Sequence, residues 1–232
     1  MNVRENYQKI RAEIPSYVKV VVAAKTRTAA EIKEVIEAGA TDIGENYVQE
    51  TERIRRALGW SLTQKVKWHM IGPLQKNKIN KALPIFDLIQ TVDSLELAQE
   101  IDKRVEKADK KFVPILLEIN IGSEISKSGL KPEEHENWEE FLEQLVVAIS
   151  RLDHIQLEGL MTMAPIFSVP EQYRPYFRKT KNMFDKLAKL KLERVNMRYL
   201  SMGMSDSYRV AIEEGANMVR IGSAIFGPRE RP

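Results

Sequence analysis

Lys25 has the setting in this chain that most directly permits chemistry. It follows Val18-Lys19-Val20-Val21-Val22-Ala23-Ala24, a run that reads as a strand buried on both faces. A lysine leaving such a run enters a partly dry setting, where desolvation favours the neutral amine that forms a Schiff base with a carbonyl. The same side chain can instead carry its ammonium past the strand end to water, as lysines commonly do. The pattern leaves both outcomes open. Two late segments, Ser201-Met202-Gly203-Met204-Ser205 and Gly222-Ser223, offer hydroxyls and closely approachable backbone N–H groups that suit a phosphate dianion. Ordinary turns and caps use the same residues. Arg220 stands between Val219 and Ile221, and a guanidinium inside an apolar strand requires an acidic partner or a ligand. His69, between Trp68 and Met70, reads either as a core histidine donating to a backbone carbonyl or as part of a site, and no metal-ligand spacing surrounds it.

Composition narrows the chemistry. The 232 residues include no cysteine, which removes disulfides, thiol catalysis and thiolate metal sites, and suits a reducing cytoplasm. The first residues lack the apolar stretch of a signal peptide, and no apolar run approaches the ~20 residues that span a bilayer. A cytoplasmic location with no membrane partner is therefore expected. Net charge is +3 from 36 basic and 33 acidic side chains, too even a balance to argue for nucleic acid. The densest basic stretch, Lys76-Asn77-Lys78-Ile79-Asn80-Lys81, has no interleaved aromatic residue and reads as a solvated helical face rather than a phosphate contact.

The elements that must position these residues follow one alternation. A polar helix from about residue 2 to 13 stops before Pro15. Thr28-Ala29-Ala30-Glu31 is a capping-box pattern, predicting a helix that ends at Gly39. Strands are expected at 18–24, 41–44, 67–71, 85–92, 113–120, 157–161, 197–201 and 218–221. Helices are expected at 47–58, 76–82, 94–108, from Pro132 onward, 171–190 and 206–214. Eight strands alternating with helices point to one (β/α)8 barrel with an extra N-terminal helix, a single domain over residues 1–232. An open doubly wound sheet is the competing architecture, because periodicity does not report closure. The polar and glycine-rich oddities gather after the expected strands: Lys25, Gly44-Glu45-Asn46, His69 with Gly72-Pro73, Asn120, the Ser201–Ser205 loop and Gly222-Ser223. That is the working face of such barrels, and the loops after strands seven and eight often bind phosphate.

Several of these segments resemble the pyridoxal 5′-phosphate (PLP) homeostasis protein family. They are Val22-Ala23-Ala24-Lys25-Thr26, Gly44-Glu45-Asn46-Tyr47-Val48-Gln49-Glu50, the stretch from Trp68 to Lys78, Ile119-Asn120-Ile121-Gly122 with Lys127-Ser128-Gly129, Leu200 to Asp206, and Met218 to Gly227. The resemblance implies a TIM barrel like the N-terminal domain of alanine racemase. It implies that PLP is held as a covalent aldimine on Lys25, with Ser201, Gly222 and Ser223 around the phosphate, Met202 nearby, and Arg220 facing the pyridine nitrogen. Asn46 and His69 fall at positions similar to those lining the family's cofactor pocket. An arginine can only donate to that nitrogen, which leaves the ring a weaker electron sink than an aspartate partner would. The expected function is binding, buffering or delivery of PLP, with PLP-dependent apo-enzymes as possible recipients and no established turnover. A PLP-dependent racemase-like enzyme is the alternative, although no separate domain is seen to supply a second acid/base. A Schiff-base aldolase is the reading without PLP. A monomer is expected, since nothing resembles the racemase dimerisation domain.

Overall fold

The computed structural model describes residues 2–105, 108, 110–124 and 128–228. Lys127, part of one of the segments above, lies outside the described residues. Eight parallel strands close on themselves in chain order: β1 (Lys19–Ala23), β2 (Asp42–Glu45), β3 (Lys67–Met70), β4 (Leu88–Val92), β5 (Val113–Ile119), β6 (Ile155–Thr162), β7 (Val195–Ser201) and β8 (Met218–Ile221). β8 pairs with β1 in the register Val21↔Arg220, which settles closure against the open sheet and puts Arg220 beside the strand that leads to Lys25. The helices are α1 (Val3–Glu13), α2 (Ala29–Glu37), α3 (Val48–Leu58), α4 (Trp60–Thr63), α5 (Ile79–Ala82), α6 (Leu95–Val105), α7 (Trp138–Ser150), α8 (Arg174–Ala188), α9 (Tyr208–Glu213) and α10 (Ser223–Phe226).

Local signals explain most of these boundaries. The Thr28 side chain accepts from Glu31 N while the Glu31 carboxylate accepts from Thr28 N, so α2 starts in a complete capping box. Gly39 ends that helix at φ +103, a conformation other residues adopt only with strain. Where expectation and structure differ, a tertiary contact or a missed cap is responsible. The fourth strand begins at Leu88 and not at Ile85, because Ile85 N and Phe86 N both bond back to Ala82 O and the Asp87 carboxylate takes Trp68 N. Pro132 opens only a single 3-10 turn, and α7 begins six residues later under an Asn137 cap. The short α4, after Gly59, carries no cap signal in the sequence.

The apolar residues sort into two layers. The main core lies between strands and helices. A small cluster of Val21, Ile71, Leu88, Leu116, Met161 and Met218 fills part of the lumen. The rest of the lumen is polar, which is unusual for a barrel usually packed with branched aliphatic side chains. The N-terminal helix α1 lies against α10: Asn6 Nδ2 donates to Ile225 O at 2.9 Å, and Tyr7 Oη donates to Gly39 O at 3.2 Å. It thereby braces the loop after β8. The basic stretch from Lys76 to Lys81 lies mostly on the surface, with Lys76 Nζ paired to Glu96 at 2.5 Å. No helix among the described residues is long and apolar enough to cross a membrane.

Two buried features make testable demands. Gly159 has φ +142 where the β6–β7 register shifts, and an added Cβ would stand 1.9 Å from Tyr199 O. Gly39 has open space around it. Gly159→Ala should therefore cost about 3 kcal/mol, at the severe end of overpacking, and Gly39→Ala about 1 kcal/mol from backbone strain alone. Urea denaturation measures both, and equal losses would contradict the packing argument. Glu45 ends β2 fully buried with neither carboxylate oxygen bonded. Burial, reinforced by Glu50, raises its pKa to about 8. A raised folded pKa stabilises fully below the unfolded value and loses that contribution as pH rises towards the folded one. Fold stability should thus fall between about pH 4.5 and 8, by at most about 1.4 kcal/mol per pH unit. Glu45→Gln should flatten that slope, and an unchanged slope would reject the assignment.

Candidate functional site

The C-terminal ends of β1, β2, β3, β6, β7 and β8 surround a cleft of about 250 Å³ lined by Ala23, Lys25, Arg27, Asn46, Ile71, Met163, Met204, Ser205, Asp206, Arg220, Gly222 and Ser223. Lys25 is half-buried in it, two residues past β1. The turn that carries Lys25 is tightly held. Ala24 N donates to Gly44 O at 2.8 Å, Arg27 N to Ala24 O at 2.9 Å, and Thr26 sits at φ +66. A β-branched residue in the left-handed region is strained, and such strain persists only where surrounding contacts enforce it. Arg27 supplies the enforcement. Its Nη2 donates to Gly227 O at 2.7 Å and its guanidinium lies 5.2 Å over the Phe226 ring, tying the Lys25 turn to the loop after β8.

Arg220 forms the floor. It is 5% exposed, and its Nη1 donates to Ser201 O (2.9 Å) and Ser201 Oγ (2.7 Å) while Nη2 donates to Thr162 O (2.8 Å). No carboxylate among the described residues makes an ion pair with it. Burial pulls its pKa down to about 10, with Glu118 opposing, so the guanidinium stays charged at neutral pH. Glu118 is itself buried, with Oε2 unbonded. Burial and Asp93 push its pKa up to about 7 while Arg220 pulls it down, so it offers only a partial countercharge.

On the far side stand the loops after β7 and β8. Ser205 Oγ accepts from Gly222 N at 3.3 Å and Ala224 N at 3.2 Å, so the two loops share a hydroxyl and the first amides of α10. Gly222 lets them approach β1, since an added Cβ would come within 3.2 Å of Ala23 O. Asn46 enters past Gly72, where a Cβ would fall 2.6 Å from Asn46 O. The Asn46 side-chain oxygen is buried and has no hydrogen-bond partner.

Of the residues named from the sequence, the structure places Lys25, Asn46, Arg220, Gly222 and Ser223 around one cleft. It corrects three expectations. Ser201 does not line the cleft: it is fully buried, and its hydroxyl donates to Gln90 Oε1 while accepting from Arg220. Met202 packs in the core between strands and helices. His69 lines the opposite, N-terminal mouth of the barrel, where its ring bonds Asp42 and Gln90. The physical reason is strand alternation. Ser201 and His69 lie within strands and point into the lumen, Met202 points outward, and apart from Ala23 and Arg220 the cleft is lined by residues of the loops beyond the strands. Arg27, Ile71, Met163 and Asp206 line the cleft without being singled out in the sequence, and Ser205, named there only within its segment, takes the place expected of Ser201. Ser205 had one available signal, its place in the loop beyond Gly203 at φ +93 and past the strand end.

Known proteins share this fold. The family described as alanine racemase, N-terminal domain, matches residues 1–230. The pyridoxal phosphate homeostasis protein of Aquifex aeolicus is 39% identical over 212 residues, covering 91% of this chain and 87% of its own. PipY of Synechococcus elongatus with PLP bound superposes with a TM-score of 0.84 at 29% identity, over 97% of this chain and 100% of its own. Alanine racemase of Clostridium difficile 630 has the same barrel, with a TM-score of 0.75 at 19% identity, and is matched over 57% of its length. The chain belongs to the pyridoxal phosphate homeostasis protein family, built on the fold of the alanine racemase N-terminal domain.

Proposed function

We propose that the barrel binds PLP in the C-terminal cleft, holds it covalently through the Lys25 amine, and takes part in keeping or handing on the cofactor. The observation that carries this reading is Arg220, a buried cation surrounded by neutral oxygens at the floor of a cleft that also holds a lysine. A ligand with a lone pair or negative charge completes such a site. The other contacts fit the same group. Ser205, Gly222 and Ser223 would hold the phosphate, as loops after strands seven and eight do in other barrels. Asn46, with its unpaired oxygen, would accept a hydrogen bond from the ligand or from water bound with it. When bound, PLP supplies an aldehyde carbon that reacts with amines and a ring that withdraws electrons.

The chain's own groups favour holding over turnover. Arg220 has no acceptor, so it would donate to the ring nitrogen and keep that nitrogen unprotonated. Residues 1–232 act on this reading as one binding unit, with apo-enzymes that need PLP as recipients. A relative that carries bound PLP in the same fold supports the ligand assignment. The racemase-like alternative has only a likeness of fold behind it.

Borohydride reduction followed by peptide mapping should place a phosphopyridoxyl group on Lys25, and Lys25→Ala should abolish the visible absorbance of the PLP-loaded protein. Label elsewhere would reject the site, and sustained amino-acid racemisation lost in Lys25→Ala would replace the carrier reading with an enzymatic one. Ser205→Ala should weaken PLP binding about tenfold, the lower range for one hydrogen bond to a charged group. Met202→Leu should leave binding unchanged, as a volume-conserving swap in the core should. A reversal of those two outcomes in a PLP titration would restore the strand-end placement of the phosphate.

A further inference from the structure

The lumen contains one continuous hydrogen-bonded column joining the two mouths of the barrel. Arg220 Nη1 donates to Ser201 Oγ at 2.7 Å, and Ser201 Oγ to Gln90 Oε1 at 2.7 Å. Gln90 Nε2 then bonds His69 Nδ1 at 2.9 Å, and His69 Nε2 bonds Asp42 Oδ1 at 2.9 Å. The five side chains come from β8, β7, β4, β3 and β2, and none is more than 5% exposed. Arg220 lines the C-terminal cleft, whereas His69 and Asp42 line a separate cavity of about 720 Å³ at the N-terminal mouth.

The direction of every link follows from its upper end. Arginine has no acceptor, so Ser201 Oγ receives that bond. The Ser201 hydroxyl proton has Gln90 Oε1 as its acceptor, which turns the Gln90 amide nitrogen towards His69 and, at 3.3 Å, Met218 Sδ. His69 Nδ1 is then an acceptor, and its proton resides on Nε2 and points at Asp42. Burial opposes ionisation of Asp42, yet the His69 hydrogen bond, the charge that ring carries when protonated in acid, the Thr41 hydroxyl and Lys19 together lower its pKa to about 2, so the lower end is a carboxylate. All four bonds donate the same way, from a cation at one mouth to an anion at the other. Aligned bonds in a medium of low dielectric polarise one another.

We infer that Gln90 is a positioning residue that, through Ser201, orients Arg220 towards its ligand and couples that contact to the charge of Asp42 at the opposite mouth. The amide is the one member able to accept on the Ser201 side and donate on the His69 side at once, so it passes orientation between two groups that do not touch. The inference rests on the reading that Arg220 meets PLP.

A double-mutant cycle tests it. Equilibrium PLP titrations on wild type, Gln90→Met, Asp42→Asn and the double variant should show each single change weakening binding about fivefold or more, the lower end of couplings between sites. They should also shift the absorption band of the bound cofactor. In the Gln90→Met background, Asp42→Asn should have no further effect. Two effects that simply multiply, or single changes that leave binding and band unmoved, would overturn the coupling. A second readout needs no ligand: the ring nitrogen signals of His69 should show an Nε2-protonated neutral ring in wild type and change in Gln90→Met. An Nδ1-protonated ring in wild type would reject the column. If wild type takes up no PLP, the PLP reading fails while the His69 signals still judge the column. Ser201→Ala breaks the adjacent link and replaces Gln90→Met should that variant not fold.

Discussion

Placing the charge of Arg220 inside the barrel constrains everything around it. A guanidinium removed from water without a carboxylate is tolerated only when its N–H groups are satisfied and a ligand can share the field. Two backbone carbonyls and one hydroxyl do the first. Those oxygens belong to the last residues of β6 and β7, so the position of Arg220 depends on three consecutive strands arriving at the same level. Closure through β8 and β1 then sets the guanidinium beside the strand that delivers Lys25. Lys25 and Arg220 are thus related by sheet register, which is stiffer than any loop could be.

Below that floor the lumen departs from the usual aliphatic filling. Asp42, His69, Gln90 and Ser201 occupy positions that a barrel would ordinarily give to branched side chains. Each finds a partner, so the column does not carry the penalty of unsatisfied buried polar atoms. Among the described residues the exceptions lie outside the column: Glu45 on the helix side of β2, Asn46 at the rim, Glu118 near Arg220, Trp138 at the start of α7 and Glu158 towards the N-terminal mouth each keep a buried polar atom without a hydrogen bond. Glu118 and Glu45 have raised pKa values as a result. The rim is treated differently. There Arg27, Thr26 and α1 brace the turns through hydrogen bonds and one strained residue, which keeps Lys25, Ser205 and Gly222 in a common frame.

Much of this was legible in the chain because it is local. The β1 run, the Thr28–Glu31 box, the Gly39 stop and the alternation of elements each depend on residues within one turn or strand. The exceptions were also instructive. Pro132 looked like a helix start, yet Asn137 held the cap, and Ile85 looked like strand until Asp87 and Ala82 bent it away. Lys25, Asn46, Arg220, Gly222 and Ser223 were placed on one rim from strand order and family likeness together.

Which atoms face that rim is another matter. Ser201 and Ser205 are four residues apart, and either can serve a phosphate on composition alone; the last residue of β7 points into the lumen, so the loop serine has the cleft. His69 follows the same rule at the other mouth. Gln90 and Asp42 carried no signal at all, because their partners lie on strands 21 or more residues away in sequence. Element type and order come from periodicity and caps, which neighbouring residues decide. Facing, register and the polar column come from the tilt and closure of eight paired strands, a property of contacts between distant residues that no window of sequence contains.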